Sequence, residues 1–254
     1  MTKIVAIASG GGSTGKTTTA VTLATLAAAQ GSSVVVVDAD AQGTATRWLG
    51  VDPRECLSDV GDVLLHGVPI IDAIIPSTVP GVSLLPAAED LEGVVVQLSA
   101  TYGGERKLRA ALKPLTHDLV IVDSPGSLNL VTCGAIVAAN HVITTTFPTN
   151  KELRSIQKLY SAVNELAQAH DLTISVDAII PCMVPPVNAG GHYQDAMSLL
   201  HNQPWDNITP SVRRSVKVAE SFAAQIPLPL YCPREHVSVD YGHVHDHLVH
   251  ARIL

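Results

Sequence analysis

Residues 10–17 read Gly-Gly-Gly-Ser-Thr-Gly-Lys-Thr, an octet that fits G-x-x-x-x-G-K-[ST] with Gly10, Gly15, Lys16 and Thr17 at the fixed positions. The pattern constrains the fold because it works only between a strand and a helix. Residues 3–8 form a short apolar run of strand character, residues 17–30 are rich in Ala and Leu, and Gly31 is placed to end that helix. Such a turn aims backbone N–H groups at one spot, where the helix dipole favours an anion. Lys16 adds a point charge for β- and γ-phosphates, and the Thr17 hydroxyl suits Mg²⁺. Gly11, Gly12, Ser13, Thr14 and Gly15 are expected to line the same ligand. A glycine-rich turn that merely contains Lys-Thr is the bland alternative, and the complete octet in this context argues against it.

Strand-like runs alternate with helix-like ones along the chain. That predicts an α/β fold: a mostly parallel, twisted sheet with helices on both faces. Ser33-Val-Val-Val-Val-Asp38 and Asp118-Leu-Val-Ile-Val-Asp123 are continuous apolar runs of the kind buried on two sides. Further strands are expected at 81–86, 141–146 and 172–180, and helices at 91–99, 105–112 and 151–169. Residues 57–73 read as short helices and turns. Beyond 180 the pattern predicts a loop over 181–191, then helices near 193–201, 215–224 and 237–250. With no repeat and no linker-like stretch, residues 1–254 read as a single domain. A parallel sheet puts ligands at the C-terminal ends of its strands.

Two other strand ends carry acids. Asp38 and Asp40 stand at the lip of the second strand, and Asp123 follows Leu119-Val-Ile-Val122. Four apolar residues and then Asp is the pattern of an acid that holds Mg²⁺ directly or through water. Of Asp38 and Asp40, one can support the metal's water shell while the other orients an attacking water. The plainer role for either is an N-cap for the turn at 43–49.

Residues 10–19, Asp38-Ala-Asp-Ala-Gln-Gly43 and Ile121-Val-Asp-Ser-Pro125 together resemble the ParA/MinD group of partitioning and positioning ATPases, which are P-loop NTPases. Nearly the whole chain can be laid along the short ParA-type members that lack an N-terminal DNA-binding domain. Arg214-Ser-Val-Lys217-Val-Ala-Glu220 followed by Pro227 looks like the family's basic segment. The resemblance implies an ATPase that forms a homodimer around two ATP molecules with Mg²⁺. Its ATP form would bind nonspecific DNA, and hydrolysis stimulated by a centromere-binding, ParB-like partner would release it. The setting implied is the cytoplasm, on the nucleoid. Carried over by residue, Lys16 grips phosphate, Thr17 ligates Mg²⁺ and Thr18 reaches the α-phosphate. Asp40 positions the hydrolytic water and Asp123 sits in the metal's second shell. From the residues themselves Asp38 is a further metal candidate, and Met183, after the strand ending at Ile180, is an adenine-pocket candidate by its position, a core or loop methionine being the plainer account.

The departures from the family pattern are specific. A lysine usual at the place of Gly11 is missing, and no lysine stands between Lys3 and Lys16. Ser13 replaces a usual glycine, Ala41 a usual proline and Gly126 a usual second proline. A cation acting on a transferring phosphoryl is worth several powers of ten in rate. Slow intrinsic hydrolysis is therefore expected, with the missing charge supplied by another basic side chain, Lys151 or Arg154.

A formal charge of −7 argues against a chain coated by nucleic acid, so DNA contact needs a local patch. Arg213, Arg214 and Lys217 cluster on an expected helix and are the DNA-binding candidates; the alternative is a solvated face. Lys151, Arg154 and Lys158 form a second stripe, more ordinary in kind. Neither has aromatic neighbours for base stacking. His243, His247 and His250 align as candidate Zn²⁺ or Ni²⁺ ligands, or simply as a polar terminal helix. Cys56, Cys133, Cys182 and Cys232 form no C-x-x-C and suit a reducing cytosol. No apolar run reaches the roughly 18 residues of a spanning helix, and no N-terminal signal precedes the loop, so a soluble intracellular protein with no membrane partner is expected.

Other functions stay open at this point. A MinD-like positioning ATPase would want a basic amphipathic C-terminal helix, yet residues 238–254 hold one arginine, two aspartates and four histidines. An iron–sulfur reductase would need a mate for Cys133. A ligase of the dethiobiotin-synthetase type shares the loop without a reason for the Asp38–Gln42 motif. An ATP-binding switch that hardly hydrolyses is kept open by Gly11.

Overall fold

The computed structural model describes residues 2–254 except 148, 186–190 and 206, and leaves aside the side chains of 191–193. A seven-stranded sheet lies at its centre. The strands are β1 (Lys3–Ile7), β2 (Val34–Asp38), β3 (Ile75–Pro76), β4 (Val82–Leu85), β5 (Leu119–Asp123), β6 (His141–Thr146) and β7 (Val176–Pro181). They run in the order β3-β4-β2-β5-β1-β6-β7. Every pairing is parallel except the short β3 on β4.

The helices are α1 (Lys16–Ala29), α2 (Thr44–Trp48), α3 (Ile70–Ala73), α4 (Leu91–Ser99), α5 (Lys107–Leu112) and α6 (Leu130–Ala138). There follow α7 (Asn150–His170), α8 (Gly191–His201), α9 (Lys217–Ala223), α10 (Leu228–Tyr231) and α11 (His236–His250). They cover both faces, which explains the unbroken valine run of β2. Val34 and Val36 pack into the core beneath α1 and α11, whereas Val35 and Val37 pack into the core under α4 to α7. All of β2 and β5 is buried, and each of their Val, Leu and Ile side chains contributes roughly 1.5–3 kcal/mol. The expected architecture is the one observed.

Topology then places the site. β1 lies between β5 and β6, so the chain leaving β1 and the chain leaving β5 emerge side by side. In register, Asp123 pairs with Ile7 on one side and with Asp38 on the other. The loop after β1 and the two acids therefore share one end of the sheet.

Two expectations change. The strand expected over 172–180 starts only at Val176, because its neighbour β6 offers a partner no earlier than Val142; a strand without a partner leaves its N–H and C=O groups unpaired. The helix expected over 215–224 starts at Lys217. Arg213 and Arg214 instead lie on an extended segment, where Val184 N donates to Val212 O and Arg214 N donates to Val184 O, both at 3.0 Å. Of the loop expected over 181–191, residues 186–190 lie outside the described residues.

Candidate functional site

Backbone accounting exposes the site first. Among the described residues, no N–H from Gly10 to Thr18 donates to a backbone or side-chain acceptor. The first N–H groups of a helix have no intrahelical partner, and with the glycine-rich turn before α1 they form a continuous set suited to an anion. Gly15 caps α1 at φ 96°, a conformation glycine takes without strain. Ser13 sits at φ 60° where the family pattern has glycine; a side chain there costs about 1–2 kcal/mol.

Lys16 is 6 % exposed and bends back over the loop. Its Nζ donates to Ser9 Oγ at 2.9 Å and to Gly11 O at 3.4 Å. Burial drags the ammonium below its ordinary range, against the fields of Asp123, Asp40 and Glu152, which favour the charged form. The Thr14 hydroxyl shares a hydrogen bond with Thr145 on β6 at 2.8 Å and donates to Ser9 Oγ at 3.5 Å.

The acids divide by hydrogen bonding. Asp38 is fully buried and saturated: Oδ2 accepts from Thr46 N at 2.8 Å and Thr46 Oγ1 at 2.7 Å, and Oδ1 accepts from Asp40 N at 3.2 Å. Burial pushes its carboxyl up to about 6, against the pull of those bonds. Through these bonds it pins the turn that carries Asp40 to the start of α2. The capping alternative is thus met from the strand, at a distance from the helix's own N-cap, Gly43.

Asp123 is the reverse. It is equally buried, and neither oxygen has a hydrogen-bond partner among the described residues. Burial, with the Asp38 carboxylate next to it, pushes it well above the usual range, against the Thr17 hydroxyl and the Lys16 ammonium. An unpaired buried carboxylate beside a threonine hydroxyl is a donor set that fits Mg²⁺. Asp40 is half-buried; Oδ1 accepts from Gln42 N at 3.0 Å, and Oδ2 accepts nothing among the described residues.

A cavity of about 350 Å³ adjoins the loop at Gly15 and Thr18. Met183, Trp48, Val212, Val218 and Phe222 line it, with Trp48 and Phe222 edge to face at 5.5 Å. It is a mostly apolar slot next to an anion cradle, the shape a nucleoside needs. Met183 follows β7 and lines this cavity. Trp48 and Phe222 carry no signal in the sequence, since they meet only through folding.

Close approach accounts for two glycines. A Cβ on Gly126 would stand 2.8 Å from Gly12 Cα, so the segment after β5 presses on the loop where a proline would not fit. A Cβ on Gly11 would stand 2.7 Å from Glu152 Oε2 on the first turn of α7. Lys151 and Arg154 are exposed on that same turn and the next.

The basic cluster is not brought together as expected. Asp240 on α11 binds Arg213 through Nε at 2.6 Å and Nη2 at 2.8 Å, and Lys217 Nζ donates to Glu220 at 2.8 Å. Glu220 stands one helical turn from Lys217 along α9, and folding brings Asp240 from α11. Arg214 remains exposed, with no ion pair among the described residues. Among the described residues no three His, Cys, Asp or Glu side chains converge as a metal site, and His247 instead bonds Asn207 Oδ1 at 2.6 Å. The cysteines are free. No helix of the described residues is long and apolar enough to cross a membrane.

Comparison with known proteins agrees with this geometry. A family model described as an AAA domain matches residues 2–176. The chain is 29 % identical to the chromosome partitioning protein ParA of Caulobacter vibrioides over 235 residues, 90 % of this chain and 87 % of the relative. It is 30 % identical to the sporulation initiation inhibitor Soj of Bacillus subtilis over 241 residues, 92 % of this chain and 93 % of the relative. Among solved structures, Cyanothece McdA in complex with ATP shares the fold at TM-score 0.88 and 24 % identity, covering 98 % of this chain and 96 % of that one. The septum site-determining protein MinD of Pyrococcus horikoshii with Mg-ADP follows at TM-score 0.77 and 25 % identity, covering 98 % and 96 %.

Proposed function

Because the chain belongs to the ParA/MinD group of P-loop ATPases, we propose that it is an ATP-driven DNA-partitioning ATPase. At the coarser level it is a ParA-family ATPase of the positioning or partitioning kind, with ATP and Mg²⁺ as its ligands. The observation that carries the reading is the run of undonated N–H groups from Gly10 to Thr18, closed by Lys16 and flanked by the unpaired Asp123.

In this reading the loop amides and Lys16 hold the phosphates, Thr18 serves the α-phosphate, and the cavity at Met183 takes the adenine. Thr17 and Asp123 hold Mg²⁺, while Asp38 fixes the turn so that the unengaged oxygen of Asp40 orients the hydrolytic water. Bound Mg²⁺ supplies positive charge against the phosphates. The whole of residues 1–254 acts as one ATPase domain.

Dimerisation on ATP, nonspecific DNA binding on the nucleoid and stimulation by a ParB-like, centromere-binding partner complete the proposal. Arg214 is the best-placed DNA contact, since Arg213 and Lys217 are held by acids. Lys151 or Arg154 supplies the charge missing at Gly11; the packing of α7's first turn against Gly11 supports this. Turnover of the single alanine variants tests it, and unchanged rates in both end that part of the proposal.

The deciding experiment measures binding to arbitrary DNA with ATP, ADP and no nucleotide at two salt concentrations. ATP-dependent, salt-sensitive binding is expected. Binding to anionic vesicles and not DNA would favour the MinD-like alternative. Against that alternative, α11 spends Val237, Tyr241, Val244 and Leu248 on the core, leaving its apolar side unavailable to a bilayer.

A further inference from the structure

Glu152 is an acid beside the phosphate loop to which none of these roles assigns work. It lies on the first turn of α7 and is 8 % exposed. Thr149-Asn-Lys-Glu152 has the form of a capping box, in which the glutamate would reach back to the N-cap amide. Only half of the box is made. Thr149 Oγ1 accepts from Glu152 N at 3.4 Å, but Thr149 N donates to Phe147 O at 2.7 Å. The Glu152 carboxylate accepts no hydrogen bond among the described residues.

That carboxylate instead lies over Gly11, 2.7 Å from where a Cβ would stand. Lys16 Nζ reaches the carbonyl of the same glycine at 3.4 Å. Position 11 thus marks the end of the loop where the Walker lysine ends, which is the end that receives the outer phosphates. Within the loop no lysine or arginine occurs between Lys3 and Lys16, and Asp40 and Asp123 already bring their own charge to the Lys16 ammonium. A carboxylate there, with no hydrogen-bond partner among the described residues, opposes an added phosphoryl directly, whereas a diphosphate held deeper in the loop feels it less.

We propose that Glu152 discriminates between nucleotides in the single subunit, its carboxylate over Gly11 disfavouring the terminal phosphoryl of ATP relative to ADP. The inference rests on the assignment of this loop to ATP. Like charges a few ångströms apart at the low effective dielectric of such a site change affinity by about ten- to hundredfold.

The test is titration of the full chain with ATP and with ADP, in Mg²⁺, at protein concentrations where sedimentation finds only monomer. Glu152→Gln removes the charge and keeps the shape. Its affinity for ATP is expected to rise about tenfold or more, with ADP affinity changing much less; Glu152→Asp is expected to retain the wild-type ratio. If E152Q melts early, E152M deletes the same charge. An unchanged ATP-to-ADP ratio in the uncharged variants overturns the proposal, as does an equal shift for both nucleotides. Wild-type chain that binds neither nucleotide would instead overturn the ATPase reading itself, so the two failures are distinct.

Discussion

Thr46→Val is the sharpest perturbation of the second-strand turn. Thr46 is fully buried, and its hydroxyl makes two bonds: it donates to Asp38 Oδ2 at 2.7 Å and accepts from Ala87 N at 3.1 Å. Valine has nearly the same shape, so packing is preserved while both bonds are lost. A hydrogen bond to a charged group is worth about 1.5–3 kcal/mol, and an orphaned buried N–H costs about 1–3 kcal/mol. The variant should therefore lose about 3–5 kcal/mol at pH 8, a large part of a typical total of about 5–15 kcal/mol.

The loss should also depend on pH in a definite direction. Asp38 titrates at about 6 in the folded chain, above its ordinary 3.8. A folded value raised in this way means stability present in acid that is lost as pH rises through 6. Removing a donor to the ionised form raises the folded value further and steepens that loss. The gap between wild type and T46V should thus widen from pH 5 to pH 8. Urea unfolding followed by circular dichroism measures it, with Thr46→Ser as the control that keeps the hydroxyl. A gap below about 1 kcal/mol, a gap that stays constant with pH, or T46S as damaging as T46V would each refute the reasoning, since T46V removes a contribution estimated above that level.

Three other outcomes follow from the site. Asp123→Asn should abolish the strengthening of ATP binding by Mg²⁺, roughly ten- to hundredfold, while binding without the metal persists; titration with and without Mg²⁺ decides it. Phe222→Ala should weaken ATP by about 1 kcal/mol by breaking the edge-to-face pair with Trp48, and leave inorganic triphosphate untouched; equal losses for both ligands would place the ring outside the base pocket. Arg214→Ala should weaken DNA binding and reduce its salt slope by about one. Arg213→Ala should mainly lower the melting temperature, because it strands the buried Asp240.

Much of the site was legible because a phosphate loop is made of contiguous backbone. Gly10 to Thr18 need only their own dihedrals and the helix that follows, so the octet specifies the cradle locally. The strand-end acids were legible for a similar reason: a run buried on both faces must end in the residue that meets solvent or ligand. Their roles were not. Asp38 and Asp123 look alike in sequence, but Thr46 holds one, while the other keeps both oxygens without a hydrogen-bond partner among the described residues. The cation cluster failed in the same way, since Asp240 lies 27 residues from Arg213 along the chain and beside it in space.

From its residues alone, then, this chain determines an α/β fold, the loop that faces phosphate and the strands that deliver its acids. Only the tertiary structure decides which acid is saturated, which arginine lacks an ion pair among the described residues, what lines the cavity beside the loop and that Glu152 lies over Gly11. The physical reason is range. Backbone geometry and burial periodicity are written within a few residues, whereas charge pairing and desolvation depend on whatever distant segment folding packs alongside.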